Sequence, residues 1–185
     1  MIDVNELRGG VTFELDGQLY KVLEYSHHKP GRGKATIRVK IRDLRSGVLV
    51  EKTFNSSDRV QDIRLDYRMA QYLYREGDLL TFMDNETYDQ PAIHSSVLGD
   101  SVQYLTEGLE VKLTFNGPEP LEVELPTAVD LKVTESEIDV KGDTATGATK
   151  SVTTETGVKV KVPLFVKAGD VIRVDTRNGE YLTRV

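Results

Sequence analysis

The 185-residue chain has no cysteine and no tryptophan, and only three histidines and three methionines. Without cysteine it forms no disulfide, no thiolate nucleophile and no cysteine-based zinc site, so its stability has to come from packed cores. Its apolar runs are short, nowhere near the roughly 18 residues of a membrane span. The start, Met1-Ile2-Asp3-Val4-Asn5-Glu6-Leu7, lacks both the basic region and the apolar core of a secretory signal. A cytoplasmic protein with no membrane partner is expected. Enzyme signatures are missing too: there is no Walker sequence, no dinucleotide fingerprint and no Ser-His-acid constellation. His27, His28 and His94 show no metal-ligand spacing. The expectation is a protein that is not an enzyme and carries no cofactor or metal.

Positive charge is in deficit, with 24 Lys and Arg against 30 Asp and Glu. Distribution matters more than the sum, because local charge is what steers a polyanion. Residues 1–63 hold 11 basic and 9 acidic side chains, 64–126 hold 4 and 12, and 127–185 hold 9 and 9. The asymmetry divides the chain into three modules with those boundaries. In the acidic middle module a solvated surface explains the carboxylates better than a catalytic pair does.

Short apolar alternations broken by Gly, Asn and Asp recur throughout, which predicts an all-β protein of small barrels. In residues 1–63 strands are expected at 10–15, 19–25, 36–41 and 48–54, a small SH3-like barrel. In 64–126 they are expected at 65–74, 79–83, 109–115 and 121–125, an OB-type barrel. Leu98, Val102 and Leu105 stand at helical spacing and predict one short helix over 96–105. In 127–185, strands at 129–133, 158–162, 171–174 and 181–185 suggest a second OB-like barrel.

Two segments carry candidate chemistry. The first is His27-His28-Lys29-Pro30-Gly31-Arg32-Gly33-Lys34, between two expected strands. Glycines on both sides of Arg32 permit positive φ angles there and project the arginine from an exposed tip. In the strand that follows, Ile37, Val39 and Ile41 share one face while Arg38, Lys40 and Arg42 share the other, where they can meet phosphates. A Pro-Gly turn with solvated charges is the commoner meaning of such a loop. The convergence of Arg32, Lys29, Lys34 and a basic strand face is what points to a nucleic-acid backbone. His27 and His28 read as solvated strand-end residues.

The second segment is Gly142-Asp143-Thr144-Ala145-Thr146-Gly147, flanked by Lys141 and Lys150. Its amides and hydroxyls suit sugar-phosphate or base edges, as in many OB-fold loops. From composition alone, a plain connector between strands is the favoured reading.

Together these segments resemble the bacterial elongation factor P family, as do Val50-Glu51-Lys52-Thr53-Phe54, Phe82-Met83-Asp84, Thr87-Tyr88 and Glu155-Thr156-Gly157. So do Val162-Pro163-Leu164-Phe165-Val166, Gly169-Asp170 and Asp175-Thr176-Arg177-Asn178-Gly179-Glu180-Tyr181. The resemblance covers essentially the whole chain. It implies an L-shaped tRNA mimic with an N-terminal KOW-like barrel and two OB barrels, monomeric, bound to the 70S ribosome between the peptidyl and exit tRNA sites. There it would promote peptide-bond formation and relieve stalling at consecutive prolines. The resemblance places Arg32 at the CCA end of peptidyl-tRNA, especially prolyl-tRNA, and the loop from Gly142 to Gly147 near the exit-site codon. Tyr181 and Arg184 match family positions near the tRNA and small subunit. Many members carry a covalently extended lysine at the tip, and some relatives glycosylate an arginine there. Arg32 is therefore either the target of a modifying enzyme, for instance by rhamnosylation, or used unmodified, with Lys34 two positions on. The alternative family-level reading is a general OB-fold RNA-binding protein or the elongation factor P-like paralogue.

Overall fold

The computed structural model describes residues 1–137 and 147–185. They fall into two compact units, Met1–Tyr67 with Thr114–Glu122 and Arg68–Leu113 with Val123–Val185. Three sheets run through them. The first contains β1 (Ile2–Asp3), β2 (Thr12–Leu15), β3 (Gln18–His28), β4 (Thr36–Asp43), β5 (Leu49–Asn55) and β6 (Arg59–Asp62), in the order β1-β6-β2-β3-β4-β5. The second contains β7 (Asp66–Glu76), β8 (Leu79–Asp84), β9 (Ala92–His94), β10 (Glu110–Asn116) and β11 (Glu119–Glu124), ordered β11-β10-β7-β8-β9. The third contains β12 (Ala128–Ser136), β13 (Thr149–Thr154), β14 (Lys159–Pro163), β15 (Val171–Asp175) and β16 (Tyr181–Arg184), ordered β14-β13-β12-β15-β16.

In the first unit the alternation expected of β4 is realised. Ile37, Val39 and Ile41 are fully buried and join Val4, Leu7, Phe13, Tyr20, Val22 and Val60 in one core, while Arg38 and Lys40 are exposed. The partner strand β3 is less regular. Val22 pairs with Ile41 and Glu24 with Lys40, so Leu23 is an extra, unpaired residue. Such a bulge shifts the alternation by one. It turns Ser26 and His28 outward beside Arg38 and Thr36, and it brings Tyr25 and His27 opposite the buried Val39 and Ile37. A smaller cluster of Leu19, Leu44 and Leu121 lies in the same unit. Beside it Arg45 meets Glu119 in a two-pronged ion pair, Nε to Oε1 at 2.7 Å and Nη2 to Oε2 at 3.1 Å.

In the second unit Val129, Leu131, Val133, Val152, Val160, Val162, Val166, Ile172 and Val174 fill the interior of the third sheet. Tyr104 joins that core from a distant part of the chain, delivered by residues 99–104 and only 6% exposed.

The short helix expected over 96–105 is instead two 3-10 turns, Ser95–Val97 and Gly99–Tyr104. Gly99, the first residue of the second turn, takes a φ of +56°, which an α-helix does not tolerate, and the segment closes by three-residue hydrogen bonds such as Leu105 N to Val102 O. Leu98 and Leu105 are buried, whereas Val102, the third residue of that spacing, is only half-buried and Tyr104 is buried instead. Strands β1, β6, β9 and β13 were not anticipated. The first three are two to four residues long. In β13, Val152 is the only large apolar residue, so the polar run gave no alternation to read. Among the described residues no helix is long and apolar enough to cross a membrane.

Candidate nucleic-acid interface

The β3–β4 hairpin positions the first candidate segment. Its last pair is His28 with Thr36, so residues 29–35 form the loop, and Lys29 through Lys34 are all exposed. Only one of the two glycines beside Arg32 uses its freedom. Gly33 sits at φ +138° with the Pro30 ring packed 3.5 Å from where a Cβ would stand, whereas Gly31 lies outside the left-handed region. The turn is thus held by Pro30 and Gly33, and Gly31 leaves space around the arginine. Among the described residues Lys29, Arg32 and Lys34 have no ion-pair or side-chain hydrogen-bond partner.

The basic face of β4 differs from the tip. Arg38 Nε lies 3.3 Å from Glu51, Lys40 Nζ 3.7 Å from Glu24, and Arg42 Nη2 3.7 Å from Glu122. Each strand cation therefore faces a carboxylate on another strand. Exposed pairs of this kind add little stability, but each sets a negative charge beside its cation. Within the β3–β4 hairpin, Lys29, Arg32 and Lys34 are the cations at the tip that have no ion-pair partner among the described residues. Sequence reasoning counted the cations along one strand and missed the acids, which only cross-strand pairing brings alongside.

The other candidate residues are separate from the hairpin. Gly142, Asp143, Thr144, Ala145 and Thr146 lie outside the described residues. Gly147, at φ +83°, is exposed two residues before β13. Tyr181 is half-buried against the core of the third sheet, opposite Val174. Arg184 is exposed, its guanidinium 5.0 Å from the centre of the Phe165 ring and 3.7 Å from Asp170. Phe165, itself half exposed, was not singled out from the sequence.

The Asp175–Tyr181 stretch is built as a tight structural turn. The Asp175 carboxylate accepts hydrogen bonds from Arg177 Nη2, N and Nε at 2.7, 2.8 and 3.0 Å. These bonds, the Arg177 side chain foremost, lower its pKa to about 2. Thr176 ties the turn to the start of the third sheet, its hydroxyl donating to Pro126 O at 2.6 Å and its amide to Thr127 O at 3.0 Å.

These three blocks of geometry coincide with three family models. The KOW-like domain of elongation factor P matches residues 3–60, its OB domain matches 65–123, and the elongation factor P C-terminal model matches 129–184. The chain belongs to the elongation factor P family. Its members are translation factors, not enzymes. Over 185 residues the chain is 45% identical to the elongation factor P of Moorella thermoacetica, with 100% of both chains covered. To that of Rippkaea orientalis it is 47% identical over 184 residues, again with 100% of each covered. Among solved structures, a eukaryotic translation initiation factor 5A from Methanococcus jannaschii aligns with a TM-score of 0.54 at 25% identity, covering 68% of this chain and 90% of that one. A translation initiation factor eif-5a family protein from Naegleria fowleri shares the fold at TM-score 0.50 and 14% identity, covering 67% of this chain and 96% of that one.

Proposed function

We propose that this family member binds the 70S ribosome in the cytoplasm, as a monomer, between the peptidyl and exit tRNA sites. There it steadies peptidyl-tRNA, above all prolyl-tRNA, so that peptide bonds form at consecutive prolines. The observation that carries this reading is Arg32: exposed at the end of a long hairpin, without a partner among the described residues, between a proline and a glycine that shape the turn. A guanidinium held this way offers five donors in a planar fork to phosphate or base oxygens of the CCA end. Lys29 and Lys34 support it electrostatically.

Proline's locked φ makes it a restricted reactant. A misplacement of about 1 Å in a reacting group costs on the order of 100-fold in rate, so positioning alone accelerates the step while the ribosome performs the chemistry. In this reading residues 1–63, 64–126 and 127–185 are the three working modules. Gly142 to Gly147 faces the exit-site codon, and Tyr181 and Arg184 face tRNA or the small subunit. Arg32 is the position a modifying enzyme would extend.

The test is reconstituted translation without the factor, timing synthesis through Pro-Pro-Pro against a proline-free message, with native protein, recombinant protein and Arg32→Ala, and the intact mass recorded. Acceleration on the proline message alone, lost in Arg32→Ala, is expected. No acceleration from native protein overturns the reading. Failure of recombinant protein only, with added mass on the native chain, assigns the activity to modified Arg32.

A further inference from the structure

The outward face of the first sheet carries a feature that the tip does not use. At the foot of the hairpin loop a cleft of about 240 Å³ is lined by Ser26, His28, Thr36, Arg38 and Thr53. The pairing of β3, β4 and β5 explains why these five meet. Ser26, Arg38 and Thr53 form one cross-strand row, and His28 and Thr36 belong to the next. The bulge at Leu23 is what turns Ser26 and His28 to this side.

Every lining side chain can donate a hydrogen bond, and none carries negative charge. Arg38 spends Nε on Glu51 at 3.3 Å, and no other ion pair or side-chain hydrogen bond engages its guanidinium among the described residues. The imidazole of His28 offers an N–H in either tautomer, and the hydroxyls of Thr36 and Thr53 add two donors, while the Ser26 hydroxyl makes a long hydrogen bond of 3.5 Å to the Arg38 carbonyl. At about 30 Å³ per water, the volume admits one phosphate group with several waters. A cleft that carries one cation, several possible donors and no carboxylate in its lining favours a tetrahedral oxyanion over a cationic ligand. Its place is equally specific: His28 and Thr36 are the last paired residues before the loop that bears Arg32.

We propose that this cleft binds one backbone phosphate of the RNA strand that the Arg32 tip engages, anchoring the foot of the loop while the tip reaches the strand's end. This inference rests on the ribosomal reading above. Glu51 is the built-in opponent, because its carboxylate competes for Arg38 and repels the incoming phosphate. The two substitutions therefore act in opposite directions. Arg38→Gln weakens phosphate binding by about tenfold or more, whereas Glu51→Gln strengthens it. Both positions are exposed, so the folded chain tolerates either change.

The experiment titrates the full chain with inorganic phosphate and, separately, with a short oligoribonucleotide lacking terminal phosphates, following backbone amides and the His28 ring by NMR. Saturable shifts centred on Ser26, His28, Thr36 and Thr53 with both probes, weakened by Arg38→Gln and strengthened by Glu51→Gln, are expected. Shifts spread evenly over the Lys29–Lys34 tip, indifference to Arg38→Gln, or weakening by Glu51→Gln overturns the proposal. So does a response to inorganic phosphate without one to the oligonucleotide, which would make the cleft a site for free phosphate. Timing Pro-Pro-Pro synthesis on the same samples separates the two readings. A silent cleft with Arg32-dependent acceleration overturns the cleft alone, and silence in both assays overturns both.

Discussion

The Tyr104 hydroxyl stands 3.0 Å from the point where Gly179 would carry a Cβ. The Asp175–Tyr181 turn therefore closes directly onto a side chain supplied by residues 99–104. Gly179 answers two demands at once, a φ of +75° and the absence of a side chain. Thr176, bonded to Pro126 and Thr127, fastens the other side of the same turn.

Gly179→Ala is thus expected to lower stability by about 1–3 kcal/mol, from backbone strain and the contact with Tyr104. Tyr104→Phe removes the crowding oxygen. The double variant should recover part of the loss, and denaturant unfolding of both single variants and the pair gives the coupling energy. Strict additivity would show that the two residues do not crowd each other.

The low pKa of Asp175 makes a signed prediction. Its folded value is about 2 against an ordinary 3.8, so its contribution to stability is complete above about pH 4 and disappears as pH falls towards 2. Asp175→Asn should flatten that part of the melting temperature against pH curve, by removing the Arg177 contacts at every pH. An unchanged slope between pH 4 and 2 would assign the acid sensitivity to other carboxylates.

At the hairpin tip, the two glycines should respond differently. Gly31→Ala meets open space with no left-handed φ and is expected to keep proline-message acceleration near that of the parent. Gly33→Ala forces an L-residue to φ +138°, so the loop shifts and acceleration falls. Equal activity in the two variants would mean that the turn geometry does not position Arg32.

Arg32→Ala should leave the unfolding free energy within about 0.5 kcal/mol of the parent, since an exposed residue without partners among the described residues contributes little to folding. Its loss should appear only in the translation assay. A large fall in stability would reveal an intramolecular role for the guanidinium.

Much of this was legible beforehand because it is local. Residues 36–43 alternate at the period of a strand, and a Pro-Gly-Arg-Gly run between two such strands exposes whatever it carries. The short helix was legible as spacing but not as type, since Gly99 had to be seen in its left-handed conformation to exclude an α-helix. Strand β13 was hidden by its polar composition, for its place in the sheet comes from pairing with β12 and β14.

By itself, then, the amino-acid order determined the all-β alternation and an exposed arginine at a hairpin tip, because both follow from the geometry of adjacent residues. Tertiary structure decided which cations stay uncompensated, on which face Ser26 and His28 emerge, and where Tyr104 is buried. Each of those outcomes depends on groups far apart in the chain: Arg42 meets Glu122 and Gly179 meets Tyr104 only after strands pair in one register. Register is a cooperative property of the sheet, shifted by the single extra residue Leu23, and no window of sequence contains it.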